Sequence, residues 1–334
     1  MKDDGRCNCC IESKYRESEQ RKRHLLFWSR RIPHIFLTNG GGVTELQKSI
    51  ELKTKLAVPV DPAQVVLSHT PMKSLVGQFK DSQVLVIGPE SCRDVAKGYG
   101  FNRVLLPEEI HASFPSIWPF SQPGSVEHSV DFATTPIKAI LVFHESQDWG
   151  RDLQICCDVL RSVKGFLGTE SGCYVQGGVI KNFDQDVKIY FSNPDFVWRN
   201  EFTLVRFTQG AFRMALGHVF ENLTGHAMKL TLYGKPEQTT YEYATRVLSE
   251  VSHSVFNESR HGRQSTHERA VYAIGDNPSS DIYGANRHGW KSVLVRTGVF
   301  EGDETLLKEV HRPTFVTDNV LEAVEKILEV ERVV

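Results

Sequence analysis

Short apolar runs alternate with helix-like segments along most of this 334-residue chain, and this alternation constrains the fold more than any other feature. From Ile32 onward, the runs IFL, QVVLSH, QVLVIG and RVLLP are separated by longer segments with helical spacing of apolar residues. Strands that alternate with helices in this way are typical of a parallel sheet covered by helices on both faces. The sequence therefore predicts an α/β fold built on a parallel sheet.

The first of these helical segments, VTELQKSIELKTKLAV, indicates an amphipathic helix. Its apolar residues recur at near-helical spacing, which predicts that they share one buried face. These residues are Leu46, Ile50, Leu52 and Leu56.

A second strand and helix pattern interrupts the first. The proline-containing stretch ASFPSIWPFSQPGSVEHSVDFATTP predicts a loop, with a domain boundary near its end. Beyond it, IKAILVFHE and VKIYFSNPD read as strands on either side of a helix, and the first pattern resumes at KLTLYGKP. We therefore predict a core formed by residues 32–130 and 231–334, an inserted α/β domain at 131–230, and an atypical segment at 1–31 that is helical or disordered.

Composition excludes several classes of function. A formal net charge of -2 gives no basic field for nucleic acid, and no run reaches the roughly 18 apolar residues of a membrane span. Seven cysteines, an odd number, favour free thiols over a disulfide framework. Residues 1–31 are basic but also contain five acidic residues, unlike a mitochondrial transit peptide, so location in mitochondria or cytoplasm stays open.

Three polar segments follow predicted strands, where an open α/β sheet places its ligand. Thr38, Asn39 and Gly40 begin a glycine-rich turn whose hydroxyl, amide and backbone N–H groups can hold a phosphate. Lys235 follows LTLY and can neutralise phosphoryl charge.

The third segment, IGDNPSSDIYGA, is the strongest single signal. It places Asp276 at the end of a strand and Asp281 near the start of a helix, where hard oxygen ligands suit Mg²⁺. A helix cap formed by Asp281 or a serine is the structural alternative, and both roles are compatible.

The order and spacing of these segments resemble the haloacid dehalogenase-like hydrolases, with a Rossmann-like core and an inserted α/β cap. The cap resembles that of the phosphatases related to NagD and p-nitrophenyl phosphatase. IFLTNGGGVTE, VVLSHTP, YFSNPDFVW and LYGKPEQTTYEYA look like the subfamily named after the cat eye syndrome critical region protein 5. In such enzymes an aspartate nucleophile forms an aspartyl-phosphate that water hydrolyses.

This resemblance implies a role for each candidate residue. Phosphoryl binding falls to Thr38, Asn39 and Gly40, Lys235 holds the phosphoryl charge, and Asp276 binds Mg²⁺ with support from Asp281. Two cap residues, Asn193 and Asp195, match a segment that faces the active site in this cap type. The resemblance also implies a small phosphorylated substrate, a mitochondrial location and an assembly of like subunits through the cap.

The chain departs from the family at the first motif, DxDG, which supplies the nucleophile from the central strand. The sequence offers only Lys2-Asp3-Asp4-Gly5, with Lys2 at the nucleophile position. Shifting to Asp3 and Asp4 breaks the spacing, because adjacent strand residues point to opposite faces. We interpret this Asp-Asp-Gly as a coincidence and predict that the central first strand is missing, supplied by another chain or lost through an alternative or mispredicted start.

Two kinds of function stay open. One is a Mg²⁺-dependent phosphatase by family that is inactive in this chain because the nucleophile is absent, with Mg²⁺ binding weakened for the same reason. The other is a catalytically dead phosphate- or partner-binding protein, or a truncated form of an active phosphatase. A nucleotide-binding dehydrogenase is excluded because TNGGG lacks the GxGxxG spacing.

Overall fold

A computed structural model describes residues 32–124, 131–174, 180–181, 183–257, 270–300 and 302–331. The predicted segment 1–31, including Lys2, Asp3 and Asp4, lies outside these ranges. The described chain divides into two compact units. Unit 1 draws on residues 1–40, 45–67 and 234–334, and unit 2 on residues 41–44 and 68–233.

The strands in chain order are β1 (Phe36–Leu37), β2 (Val65–Val66), β3 (Gln83–Ile87), β4 (Arg103–Leu105), β5 (Ile137–Val142), β6 (Cys173–Tyr174), β7 (Ile180–Lys181), β8 (Lys188–Phe191), β9 (Val197–Trp198), β10 (Arg206–Phe207), β11 (Leu230–Leu232), β12 (Tyr272–Gly275), β13 (Lys291–Val295) and β14 (Phe315–Thr317). The α-helices are α1 (Glu45–Leu56), α2 (Val76–Phe79), α3 (Ser91–Tyr99), α4 (Pro107–Ser113), α5 (Trp149–Arg161), α6 (Gln209–Thr224), α7 (Gln238–Asn257), α8 (Tyr283–Arg287) and α9 (Val320–Val330). None of the described helices is long and apolar enough to cross a bilayer.

Unit 1 contains two parallel sheets. Strand β1 pairs with β2, and β12, β13 and β14 form the other sheet in that order. Within the described ranges, no strand joins these two sheets. The absence of a central first strand stays a prediction, because residues 1–31 lie outside the described ranges.

Unit 2 is built on a five-stranded parallel sheet in the order β11-β8-β5-β3-β4. Its central strands β3 and β5 are mostly apolar and buried, because both faces of the sheet are covered. Leu85 and Val142 pack on one face with residues of α5 and α6, whereas Val84 and Leu141 pack on the other face with residues of α3. Unit 2 is therefore a doubly wound α/β domain in its own right.

The predicted boundary at residue 131 is wrong. Strands β3 and β4, which we assigned to the core, lie in the same sheet as β5 and β8, so the main segment of unit 2 starts at Ser68. The strand and helix pattern is alike in the two units, so the sequence pattern does not mark the change from one sheet to the other. The proline-rich stretch taken as the boundary instead follows α4 inside unit 2.

Two of the four residues in the predicted apolar face of the first helix are buried. Helix α1 forms as expected, and Leu52 and Leu56 are buried. Leu46 and Ile50, however, are 58% and 55% exposed. The buried stripe is narrow, and the N-terminal turns of α1 are mostly solvated.

Candidate active site

The candidate Thr38 follows β1 directly, and its backbone is still held by the sheet. Its N–H donates to the carbonyl oxygen of Val66 at 3.0 Å. Its Oγ1 accepts a hydrogen bond from the N–H of Gly40 at 3.0 Å, which closes a tight turn. The hydroxyl proton of Thr38 can be donated to a further acceptor, such as a phosphate oxygen.

Asn39 uses both ends of its amide to hold the backbone of Lys235. Its Oδ1 accepts from the N–H of Lys235 at 2.6 Å, and its Nδ2 donates to the carbonyl of Lys235 at 2.9 Å. Asn39 is buried, so these bonds are shielded from water. The amide thus ties the end of β1 to the turn that carries the lysine.

The ammonium group of Lys235 lies in the interior of unit 1, where the residue is 4% exposed. Its Nζ donates to Oδ1 of Asp281 at 2.5 Å and to the carbonyl oxygen of Leu37 at 3.2 Å. The Lys235-Pro236 peptide bond is cis. A buried lysine is stable only when paired, and Asp281 provides the opposite charge.

Asp281 is fixed by a second contact and by a close approach to glycine. Its Oδ2 accepts from the N–H of Asn277 at 3.0 Å. A Cβ on Gly275 would lie 2.3 Å from Cγ of Asp281, so only glycine leaves room for this carboxylate. The N-cap of the following turn is Asn277, whose side chain accepts from the N–H groups of Ser279 and Ser280. The predicted capping role therefore belongs to Asn277.

Asp276 lies at the end of β12 and is 2% exposed. Its Oδ2 accepts from the N–H of Val299 at 2.6 Å. The neighbouring Gly298 has a φ of 126°, and a Cβ there would lie 2.1 Å from that same oxygen. The loop after β13 therefore wraps closely around the carboxylate of Asp276.

Comparison with known proteins identifies the family. A haloacid dehalogenase-like hydrolase model matches residues 20–102, and a HAD-hydrolase-like model matches residues 232–323. A mitochondrial hydrolase of Saccharomyces cerevisiae is 38% identical over 319 residues, which cover 90% of this chain and 87% of the relative. The chain belongs to the haloacid dehalogenase-like (HAD-like) hydrolases.

A second relative shows that the HAD-like sequence also occurs within a longer protein. This protein of Schizosaccharomyces pombe is named as a fusion of a CMP-forming cardiolipin synthase with a mitochondrial hydrolase. It is 36% identical over 299 residues, which cover 88% of this chain and 47% of the relative.

Solved structures confirm the predicted HAD-type fold. A thermostable NPPase of Geobacillus stearothermophilus aligns with a TM-score of 0.60 and 19% identity, covering 93% of each chain. A glycerol phosphate phosphatase of Mycobacterium tuberculosis in complex with calcium aligns with a TM-score of 0.58 and 18% identity, covering 93% of this chain and 70% of the other. At these identities the likeness shows a shared fold.

Few of the described side chains in this HAD-like chain are placed to bind a metal ion. No described group of three or more His, Cys, Asp or Glu side chains is placed to bind a metal. Both oxygens of Asp281 accept hydrogen bonds, one from Lys235 and one from Asn277. Asp276 is therefore the carboxylate that fits a cation best, and Mg²⁺ bound through one carboxylate keeps most of its waters.

The two predicted cap residues lie in unit 2, at the end of β8. Oδ1 of Asn193 accepts from the N–H of Asp195 at 2.8 Å, and the N–H of Asn193 donates to Oε1 of Gln209 at 3.3 Å. The carbonyl oxygen of Asp195 accepts from the N–H of Gly210 at 2.8 Å. The described contacts of Asn193 and Asp195 stabilise the start of α6. A role for these two residues in substrate binding stays a prediction.

Sequence reasoning missed several groups that shape the site. The carbonyl of Leu37 and the N–H of Val299 are backbone groups, and a pattern of residue types does not predict their contacts. Asn277 lies within IGDNPSSDIYGA, but the sequence analysis predicts that Asp281 or a serine caps the helix. Gly298 lies in the loop after β13, separated from the strand by Arg296 and Thr297, and a glycine there is a sequence signal that could have pointed to the close approach.

Proposed function

We propose that this HAD-like hydrolase binds small phosphate monoesters through the hydroxyl of Thr38 and the ammonium group of Lys235. The observation that carries the proposal is the buried Lys235: Asn39 holds its backbone, and its ammonium group donates to Asp281 and to the carbonyl oxygen of Leu37, the residue before Thr38. A preorganised cation next to a hydroxyl donor suits a phosphoryl group, because the charges need no reorganisation when the ligand binds.

The charge balance of these buried groups favours a cation as well. The buried groups of unit 1 include Lys235 and two carboxylates, Asp276 and Asp281, and Lys235 pairs with the second. Mg²⁺ bound at Asp276 would neutralise the excess negative charge and polarise a phosphoryl oxygen. Asp281 would act on Lys235, by holding its ammonium group in place.

Turnover requires more than binding. A phosphatase of this type needs a carboxylate nucleophile, and in the sequence as printed Lys2 stands where DxDG has its first aspartate. An ammonium group cannot form an acyl phosphate. We therefore propose that this chain binds phosphate monoesters without hydrolysing them efficiently.

The names of relatives support one further proposal, and the place of unit 2 in the chain supports another. Both matched relatives are named mitochondrial hydrolases, which supports a mitochondrial location for this protein. Residues 68–233 of the doubly wound unit 2 lie in the chain between two parts of unit 1, as an inserted domain does, and this supports the proposal that unit 2 acts as a cap. Assembly of like subunits through unit 2 is part of the same proposal.

The test measures phosphate binding and hydrolysis on the same protein. Calorimetry with inorganic phosphate, with Mg²⁺ and with EDTA, gives the affinity, and p-nitrophenyl phosphate reports turnover. We expect phosphate binding that Mg²⁺ strengthens, with no turnover above background. Asp276→Asn should abolish the effect of Mg²⁺ and leave the binding in EDTA unchanged. Asp131→Asn changes an exposed carboxylate in unit 2 and serves as the matched control.

Two results would contradict the proposal in different ways. Turnover that Asp276→Ala abolishes would show an active phosphatase with another nucleophile. No detectable phosphate binding at millimolar concentrations, in a folded protein, would remove the site itself.

A further inference from the structure

The first turn of helix α7 contacts both of the turns that carry the buried ion pair of unit 1. The pair is Lys235 with Asp281, and α7 begins at Gln238, three residues after the lysine. Two neighbouring residues of α7, Thr240 and Tyr241, are each 1% exposed, and their hydroxyl groups bond to the backbone of these turns. All of these residues belong to unit 1.

Thr240 holds the turn that leads into the lysine. Its Oγ1 accepts from the N–H of Gly234 at 2.8 Å, and the carbonyl oxygen of Gly234 accepts from the N–H of Glu237 at 2.8 Å. Gly234 has a φ of 85°, in the left-handed region that glycine adopts most readily. The chain therefore turns sharply just before Lys235, and both backbone groups of the glycine at this turn are hydrogen-bonded.

Tyr241 holds the turn that carries the aspartate. Its hydroxyl oxygen lies 3.2 Å from the carbonyl oxygens of both Ser280 and Asp281, and its single proton is donated to them. Residues 278–282 form a wide helical turn, a geometry that occurs frequently at functional sites. A donor directed at two adjacent carbonyls limits where this turn can lie, and with it the backbone of Asp281.

Packing leaves the ring of Tyr241 little freedom. A Cβ on Gly284 would lie 2.4 Å from the Tyr241 hydroxyl oxygen, so α8 approaches the ring as closely as a glycine permits. The ring of Trp290 packs edge-on against it, with centroids 5.2 Å apart. The Tyr241 hydroxyl is therefore preorganised toward the turn of Asp281.

We propose that Thr240 and Tyr241 are positioning residues that hold Lys235 and Asp281 at pairing distance. Each hydroxyl fixes the backbone on one side of the pair, and the two side chains then meet, with Nζ of Lys235 2.5 Å from Oδ1 of Asp281. A buried ammonium group without its carboxylate is costly, so a small displacement of either backbone weakens the pair. The value of this positioning for phosphate rests on the proposed function.

Two probes report the ion pair in the full chain, and neither lies on the residues to be changed. NMR resolves the ammonium protons of a lysine when burial and hydrogen bonding slow their exchange with water, and Lys235→Arg assigns this signal through its loss. The N–H of Asn277 donates to Oδ2 of Asp281 at 3.0 Å, so its hydrogen exchange reports the position of the carboxylate.

Tyr241→Phe removes the hydroxyl group and keeps the aromatic ring. We expect exchange of the Lys235 ammonium protons and of the Asn277 N–H to rise roughly tenfold, the equivalent of one lost hydrogen bond. A residue that only filled space would leave both rates unchanged in this variant, because the ring volume is kept.

Thr240→Val tests the other side of the pair. It removes the acceptor for the N–H of Gly234 and keeps the side-chain shape, and we expect exchange of the Lys235 ammonium protons to rise roughly tenfold. Thr240→Ser restores a hydroxyl acceptor and should return the rate toward wild type.

Controls separate positioning from general loosening of unit 1. Tyr272→Phe makes the same chemical change at a hydroxyl that bonds Lys291 and Glu331, and it should leave both probes at wild-type rates. The N–H of Val293 lies in the middle of β13, between β12 and β14, and reports global opening. The increases at the two probes should exceed any increase at Val293.

Unchanged exchange of the Lys235 ammonium protons in Tyr241→Phe or in Thr240→Val would overturn the role of that residue. Equal increases at the probes and at Val293 would overturn the proposal as a whole. If one variant fails to fold, the other decides by the same criterion.

Inorganic phosphate is titrated on the same variants, and its affinity should fall roughly tenfold in Tyr241→Phe if the proposed function holds. A wild-type protein that binds no phosphate contradicts the proposed function alone, because the ammonium protons of Lys235 still decide the inference.

Discussion

Asn39 illustrates how a residue predicted to touch a ligand can first be needed for the fold. Its amide satisfies the buried N–H and carbonyl of Lys235. Removing it leaves two backbone groups without those partners, at a cost of about 1 to 3 kcal/mol for each. The position of the lysine therefore depends on Asn39 whether or not phosphate is bound.

Asn39→Ala is predicted to lower the free energy of unfolding by about 2 to 6 kcal/mol. Urea denaturation followed by circular dichroism measures this change. The control is Asn102→Ala, which removes an exposed asparagine that bonds Asp81 and should cost less than about 0.5 kcal/mol. Equal effects of the two substitutions would argue against the structural role of Asn39.

Gly275→Ala tests the close approach to Asp281. The added Cβ would lie 2.3 Å from Cγ of Asp281, so the carboxylate must move away from Lys235. We expect a loss of about 1 to 3 kcal/mol in the free energy of unfolding. Gly98→Ala, in helix α3 with no atom within 4 Å of the added Cβ, should instead stabilise by about 0.5 to 1 kcal/mol. A neutral Gly275→Ala would mean that the site has more room than the packing shows.

At this scale the sequence predicted which residues belong together, but not how they bond. Thr38, Asn39, Lys235, Asp276 and Asp281 all lie in unit 1, as the strand-end rule implies. Their partners are largely backbone groups and glycines brought in from distant parts of the chain. Such contacts depend on tertiary geometry, which residue spacing alone does not specify.

At the scale of elements, helix α5 contains a buried charge cluster that the sequence did not reveal. Asp152 is 1% exposed and accepts from Nε of Arg151 at 2.8 Å and from Oγ of Ser146 at 2.7 Å. Burial raises the pKa of Asp152 to about 6, although Arg151 and Ser146 act in the opposite direction. Helix α5 thus places an acid that titrates close to neutral pH inside unit 2.

Titration of Asp152 should make stability depend on pH. A carboxyl whose folded-state pKa is raised binds its proton more tightly in the native protein, so the stability it contributes is lost as pH rises toward 6. From pH 5 to pH 7 this group should lower the free energy of unfolding by about 1 kcal/mol. The measurement is urea denaturation of wild type and Asp152→Asn at both pH values.

Comparing wild type with Asp152→Asn isolates the contribution of Asp152 to the free energy of unfolding. Asp152→Asn lacks the titration, so its stability relative to wild type should improve by about 1 kcal/mol from pH 5 to pH 7. Asp81→Asn, at an exposed position, should keep the wild-type slope. A difference between wild type and Asp152→Asn that does not change with pH would contradict the assignment.

Helix α1 shows why element predictions succeed more easily than burial predictions. The helix forms where its pattern predicts, yet Leu46 and Ile50 are exposed and only the C-terminal leucines are buried. Periodicity identifies a potential apolar face, and the surrounding structure decides how much of that face is covered. A pattern read from one helix contains no information about the width of its partner surface.

At the scale of the whole molecule, the division into units corrects the predicted boundary and can be tested with fragments. Residues 68–233 contain all five strands of the unit 2 sheet, whereas 131–233 lacks β3 and β4 and would expose one edge of β5. We expect the longer fragment to unfold cooperatively in urea and the shorter one to show no cooperative transition. A cooperative transition in fragment 131–233 would restore the boundary at residue 131.

The pairing of Asn39 with Lys235 also has a consequence for synthesis on the ribosome. These residues lie 196 positions apart, so at about 5 to 20 residues per second the lysine is made about 10 to 40 s after its partner. All of unit 2 is translated during that interval. Gly41 and Gly42 can therefore pack on a fully synthesised unit 2 before residues 234–334 of unit 1 have been made. The Thr38 turn is therefore synthesised before Lys235, the residue whose backbone Asn39 holds.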